Sequence, residues 1–210
     1  MMTALLWKHP FTAIVSGPTG CGKSNFVTKF IKYSHAVISP APKKILWCYG
    51  VYQDLFDTLQ GVEFHDGVPD GETLQSGTLL ILDDLMHEAD DRVEKIFTKY
   101  SHHRHVSIML LTQNLFFKKT RTIGLNAHYM ILFKNPRDAT QIAYLARQMF
   151  PSKSKFMIEA FKEATSQPYS YFVIDLKPDT EERMRLRSGI FPDEKTTYIS
   201  INKRHDFKCN

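Results

Sequence analysis

The feature that most constrains this chain is the octet Gly17-Pro18-Thr19-Gly20-Cys21-Gly22-Lys23-Ser24. It satisfies G-x-x-x-x-G-K-[ST] at every fixed position. Its flanks carry equal weight. Phe11 to Ser16 reads as a short buried strand, and from Lys23 to Tyr33 the residues Phe26, Val27, Phe30 and Ile31 recur at helical spacing. A strand, a glycine-rich turn and a helix in that order turn backbone amides and a helix amino terminus toward one point, which is an anion site. The octet is therefore read as a phosphate loop that binds Mg·ATP. Lys23 reaches the β- and γ-phosphates, the Ser24 hydroxyl binds Mg²⁺, Pro18 and Thr19 shape the loop, and Cys21 fills a position for a small residue.

The rest of the chain repeats the alternation. Lys44–Tyr49, Leu79–Leu82, Ser107–Leu111, Tyr129–Phe133, Tyr171–Asp175 and Thr197–Ile201 read as strands. Helices are predicted over Asp90–Ser101, around Ile142–Met149 and around Met157–Ala164, with a break at Pro151. Apolar strands between amphipathic helices predict an α/β fold, a mainly parallel sheet covered on both faces. No repeat or linker divides residues 1–210, so one domain is expected.

Charge and cysteines set looser limits. Net charge is +5 with a pI near 9.0, compatible with a polyanionic partner without requiring one. The three cysteines, Cys21, Cys48 and Cys209, lack paired spacing and read as free thiols in a reducing, intracellular compartment. No apolar run reaches the roughly 18 residues of a membrane span, and Ala4-Leu5-Leu6 is too short for a secretory signal.

Two further motifs carry chemistry. Asp83 and Asp84 end the apolar run Leu79–Leu82, at the carboxyl end of a strand, where open α/β sheets bind ligands. Alone, the pair would serve equally as a helix cap. Beside a phosphate loop, Asp83 is the candidate Mg²⁺ partner and Asp84 the candidate carboxylate that polarises the attacking water. Many hydrolytic P-loop ATPases place Glu at that second position, one methylene longer, so the shorter Asp84 implies either weak hydrolysis or a compensating shift of the backbone. Ser107–Leu111 runs into Thr112-Gln113-Asn114, which makes Gln113 a candidate sensor of the γ-phosphate or the lytic water; by itself it would be an ordinary turn residue.

His102-His103-Arg104-His105 precedes that strand. No further ligand stands at metal-binding spacing, so Arg104 is the more informative residue. It is either an arginine offered to a neighbouring subunit's γ-phosphate or part of a solvated basic turn. Lys118-Lys119-Thr120-Arg121, beside Phe116 and Phe117, is a second basic cluster that suits DNA phosphates, a neighbouring subunit or solvent.

Taken together, the phosphate loop, LLILDD and above all SHHRHVSIMLLTQNLF resemble the viral genome-packaging ATPases of the FtsK/HerA superfamily, with the nearest likeness to those of Maverick/Polinton elements and related viruses. The turn Phe64-His65-Asp66-Gly67-Val68-Pro69 and the segment Asp175-Leu176-Lys177-Pro178-Asp179-Thr180 extend the likeness over nearly the whole chain. The resemblance implies an ASCE/RecA-like sheet in which the Thr112-Gln113 strand lies between the two Walker strands. It implies a homo-oligomeric ring, a pentamer or hexamer, that moves double-stranded DNA into a capsid by way of a capsid or portal vertex protein, in the virion or host cell. Carried over, Lys23, Ser24 and Asp83 hold Mg·ATP, Asp84 is catalytic, Gln113 couples, and Arg104 is the trans arginine, with Arg121 second.

Two other readings remain open from sequence. The Gly-Pro-Thr-Gly opening suits a small-molecule kinase, although Arg183, Arg185 and Arg187 form the one arginine-dense run and lie far from a clear lid. The shorter carboxylate of Asp84 suits a nucleotide-regulated DNA-binding or assembly protein that hydrolyses little.

Overall fold

The computed structural model describes residues 6–85, 91–115, 120–137 and 139–199; the side chains of Thr120, Arg121 and Tyr198 are outside that description. Cys209, Phe116, Phe117, Lys118, Lys119, Asp90 and the end of the last expected strand also lie outside the described residues. In chain order the elements are β1 (Trp7–Lys8), β2 (Thr12–Ser16), α1 (Lys23–Lys32), α2 (Ser34–Val37), β3 (Ile38–Ser39), β4 (Lys44–Tyr49), β5 (Glu63–Asp66) and β6 (Thr78–Asp83). They continue with α3 (Asp91–Lys95), a π-helical turn (Ile96–Tyr100), α4 (Ser101–His103), β7 (Ser107–Thr112), α5 (Thr120–Leu125) and β8 (Tyr129–Phe133). The last are α6 (Thr140–Met149), α7 (Ser154–Ala164), β9 (Tyr171–Asp175), β10 (Leu186–Ser188) and β11 (Thr197–Tyr198).

One nine-stranded sheet, ordered β11-β10-β9-β8-β2-β7-β6-β4-β5, organises them. From β5 to β8 each neighbouring pair is parallel, whereas β9, β10 and β11 each run antiparallel to their neighbour. The central strands are buried end to end because both faces are covered: TAIVS, TLLILD, SIMLLT and YMILF contain no exposed position. Alternate residues serve opposite layers. Ala13, Val15, Leu79, Ile81, Met109 and Leu111 meet Phe26, Val27 and Phe30 of α1. Ile14, Leu80, Leu82, Ile108 and Leu110 meet Val93, Leu145, Ala146, Met157 and Phe161 on the other face. Phe30 is fully buried and packs edge-on to Trp7 and Phe11. Its truncation to Ala would cost about 3–5 kcal/mol.

The alternation of strand and helix predicted from sequence matches this architecture, and β7 does lie between β2 and β6. Three details differ. Phe64-His65-Asp66 forms part of an edge strand, with the turn beginning at Gly67 (φ +75°). The helix expected to end at Ser101 continues to His103 through the π-helical turn. The arginine run is structural. Arg187 is 2% exposed and pairs with buried Asp175 at 3.4 Å, while Arg185 donates to the carbonyls of Asp175, Lys177 and Thr180. These contacts consume Arg185 and Arg187 in joining β9 to β10, and they fix the Asp175–Thr180 segment as a packed turn.

Candidate functional site

The order of strands puts the carboxyl ends of β2, β7, β6 and β4 side by side, which is where the chain's polar strand ends meet. Directly after β2, the Gly17 N–H donates to the Thr112 carbonyl of β7 at 3.1 Å. A Cβ at Gly17 would stand 2.7 Å from both Cys21 Sγ and Phe133 Cβ, so only glycine fits. Gly22 (φ +104°) begins α1 from a left-handed conformation that other residues adopt at a cost. No side chain caps this helix, and its first turn opens into the cavity at Ser24 and Asn25. Unpaired amides and the positive end of the helix dipole face the same space.

That space is a cavity of about 450 Å³. Thr19, Gly20, Gly22, Lys23 and Ser24 line it from the loop, Asp83 and Asp84 from the end of β6, and Thr112 and Gln113 from the end of β7. The cis constellation read from sequence is thus assembled at one place. Lys23 folds over its own loop, donating to the carbonyls of Gly17 (2.7 Å) and Pro18 (3.1 Å). Its ammonium satisfies those carbonyls until a stronger anion competes for it.

Asp83 is 5% exposed, and burial raises its pKa above the ordinary carboxylate value, reinforced by Asp84 and opposed in part by Trp47, Lys23 and Gln53. Gln53 donates from Nε2 to Asp83 Oδ2 at 3.3 Å. Among the described residues no ion pair engages Asp83. A buried carboxylate without an ion-pair partner, lining one cavity with Ser24, is a donor set suited to Mg²⁺. That ion takes one or two protein oxygens and completes its shell with water and phosphate. Asp84 differs from its neighbour: it is exposed, lines the cavity and has φ +53°, a left-handed conformation that Asp tolerates better than most residues. Residues 86–90, which connect this strand end to α3, lie outside the described residues, and so does the alternative role of the pair as a helix cap.

Arg104 is not brought to this cavity. It precedes β7, at the amino ends of the strands, half-buried beside Tyr100. The length of β7 separates it from Gln113, roughly 20 Å. Arg121 lies in α5, but its side chain is outside the described residues. Among the described residues no group of three potential ligands forms a metal site around His102, His103 and His105. Cys21 is half-buried and Cys48 buried, both as free thiols; burial pushes the Cys48 thiol up to about 12. No described helix is long and apolar enough to cross a membrane.

Among the cavity residues absent from the sequence reading are Gln53 and Tyr169. Gln53 follows the carboxyl end of β4 by a short Gly50-Val51-Tyr52 link, a position the strand-end rule would have marked. Tyr169 lies far along the chain, after α7, and nothing local announces it.

No family model matches the chain, and no curated protein does. Solved structures do. The genome packaging NTPase B204 from Sulfolobus turreted icosahedral virus 2, in complex with ATP-gammaS, superposes with a TM-score of 0.56 at 16% identity, over 81% of this chain and 94% of that one. Its complex with sulfate gives 0.53 at 14% identity over the same shares. The chain has the fold of a P-loop NTPase. In this P-loop fold the antiparallel β9–β11 extend the β8 side of the sheet, away from the strand ends that hold Asp83 and Gln113.

Proposed function

We propose that this chain is an ATPase that drives double-stranded DNA into a capsid, acting as a ring of identical subunits on Mg·ATP. The observation that carries the reading is the insertion of β7 between β2 and β6, which sets Gln113 in one cavity with Lys23, Ser24, Asp83 and Asp84. The likeness of fold to a genome packaging NTPase and the resemblance of the SHHRHVSIMLLTQNLF stretch support it. In this reading the loop amides and Lys23 bind the β- and γ-phosphates, and Lys23 exchanges its two carbonyl partners for phosphate oxygens. Ser24 and Asp83 would hold a Mg²⁺, which would supply positive charge against that developing on the phosphates. Asp84 orients and polarises the attacking water. Gln113, at the γ-phosphate end, reports hydrolysis to the sheet.

Arg104 stands at the strand ends opposite the cavity, so in this reading any part it takes in hydrolysis is at a neighbouring subunit's site. An arginine supplied in trans is worth roughly 10³–10⁵ in rate. Residues 1–210 work as one ATPase unit in a reducing compartment, docking on a capsid or portal vertex protein. The test combines mass by light scattering, with a Mg·ATP analogue and duplex DNA present, and the ATPase rate with and without DNA. Assembly and DNA-stimulated turnover are expected; a monomer whose turnover ignores DNA removes the motor reading.

The left-handed backbone and exposure of Asp84 favour a second reading, a nucleotide-regulated assembly protein with weak hydrolysis. Asp84→Asn separates the two: it abolishes turnover in a motor and leaves a nucleotide-gated assembly intact.

A further inference from the structure

Beyond the rim of the phosphate cavity lies a second groove of about 350 Å³ that the phosphate chemistry does not use. It runs between the outer side of the phosphate loop, at Gly20 and Cys21, and the Thr165–Ser170 segment after α7, with Phe133 and Pro136 along it. Gly20 and Tyr169 line both cavities, so the two spaces meet at that pair.

Tyr169 occupies this junction in an unusual way. The Ser170 N–H donates to the Gln167 carbonyl at 3.2 Å, closing a turn with Pro168 and Tyr169 at its centre. The second central position has φ +63°, a geometry that selects glycine or asparagine. A tyrosine there is strained, and such strain is retained where the surroundings or a function demand the side chain. The ring is not recruited to the core, since Tyr169 is 69% exposed. It lies instead against the loop: a Cβ built on Gly22 would stand 3.2 Å from Tyr169 Cδ1. Glycine at 22 therefore serves a close approach of the ring as well as its own backbone conformation.

We propose that this groove is the nucleobase half of the site, with the base stacked on the ring of Tyr169 and its edge meeting Gln167 and Ser166. The inference rests on the phosphate-loop reading above, because the phosphates fix where the base must go. A triphosphate seated at Lys23 and Ser24 leaves its nucleoside at the Gly20–Tyr169 rim, and the groove is the space continuous with that rim. Aromatic faces stack on any base, and a glutamine amide offers both a donor and an acceptor to an adenine edge. The occupant is therefore a nucleoside triphosphate, with adenine the base the Gln167 amide suits.

The experiment compares calorimetric titrations of the full chain with Mg·ATP and with Mg·tripolyphosphate, which has the phosphates and no base. Wild type, Tyr169→Ala, Tyr169→Gly and Tyr169→Trp are compared. Tyr169→Gly accepts the backbone geometry, so it loses the ring without adding strain. Both small replacements are expected to weaken ATP about tenfold or more while tripolyphosphate stays within about twofold, and Trp should preserve ATP binding. Unchanged ATP affinity in Tyr169→Ala and Tyr169→Gly overturns the proposal, as does an equal loss for both ligands, which marks Tyr169 as loop support. Wild type binding tripolyphosphate as tightly as ATP removes the base groove and leaves the phosphate loop standing. Wild type binding neither ligand removes the phosphate-loop reading, and the base groove with it.

Discussion

Gln141, on α6, accepts a hydrogen bond at its Oε1 from the Leu115 N–H (3.0 Å) and donates from Nε2 to Asn114 Oδ1. Thr112 completes the clamp, donating its hydroxyl to the Asn114 carbonyl (2.9 Å) and accepting from the Asn114 N–H (3.2 Å). The loop that carries Gln113 is thus held from a helix on the opposite side of the small cavity behind the phosphate loop.

Gln141→Ala is expected to lower kcat about tenfold with KM for ATP within about twofold. It leaves the phosphate contacts intact and loosens only the loop that places Gln113. Steady-state kinetics check this, and Gln141→Glu, which keeps the acceptor and loses the donor, should fall between. A matching rise in KM would show that the clamp supports nucleotide binding instead.

Asp83 gives a pH signature. Its folded pKa is raised by burial, so the native state holds that proton more tightly than the unfolded chain does. Ligand-free protein therefore loses stability as pH rises through the folded pKa of Asp83, above which the buried charge is a cost. Asp83→Asn should raise the ligand-free melting temperature at pH 7 by a few degrees, since about 1 kcal/mol moves a domain of this size by roughly 2–4 °C. The gain should shrink as pH falls into the carboxylate range. Mg·ATP should stabilise wild type more than the variant, because the variant keeps the loop amides and Lys23 but loses one of the two groups assigned to Mg²⁺. Thermal melts across pH, with and without Mg·ATP, measure both arms.

His128 has the opposite sign. Its Nδ1 accepts from the Thr12 N–H at 3.0 Å, which requires the neutral ring, and burial lowers its pKa, reinforced by His102 and Lys177. Burial also lowers the pKa of His9, which contacts the Ser107 hydroxyl and the His105 carbonyl. A depressed histidine contributes stability that is present above its unfolded pKa, near 6.5, and lost as pH falls through the folded value. Wild type should lose stability below about pH 6.5. His128→Asn should flatten that loss while costing about 1 kcal/mol at pH 8, read from urea midpoints.

Lys23 and Arg104 lie at opposite ends of the strands, so they should complement. Lys23→Ala should abolish nucleotide binding, and Arg104→Ala should depress turnover with nucleotide affinity nearly unchanged, because the arginine acts in the transition state. Mixed rings should recover activity above either variant alone. Absence of any recovery, with mixing verified by mass, would remove the trans assignment.

Much of the site was readable without coordinates because its parts are local. The loop octet needs only the strand before it and the helix after it, and Asp83, Asp84 and Gln113 each end an apolar run that no solvated segment would carry. What no linear pattern specifies is adjacency. The neighbours of β2 are β7 and β8, elements about a hundred residues away, and only the packed order of strands brings Gln113 between Lys23 and Asp83. Gln53, Gln141 and Tyr169 are ordinary residues in ordinary local sequence, and nothing local in the arginine run shows that Arg187 pairs with Asp175 inside the sheet. Backbone propensity and hydrophobic period act over a few residues, so the sequence determined the phosphate loop, the strand ends and the α/β alternation. Side-chain partners across the sheet depend on the closure of long loops around a shared core. The tertiary structure alone therefore decided where the cavity ends, what holds Asp83, and which ring stands at its rim.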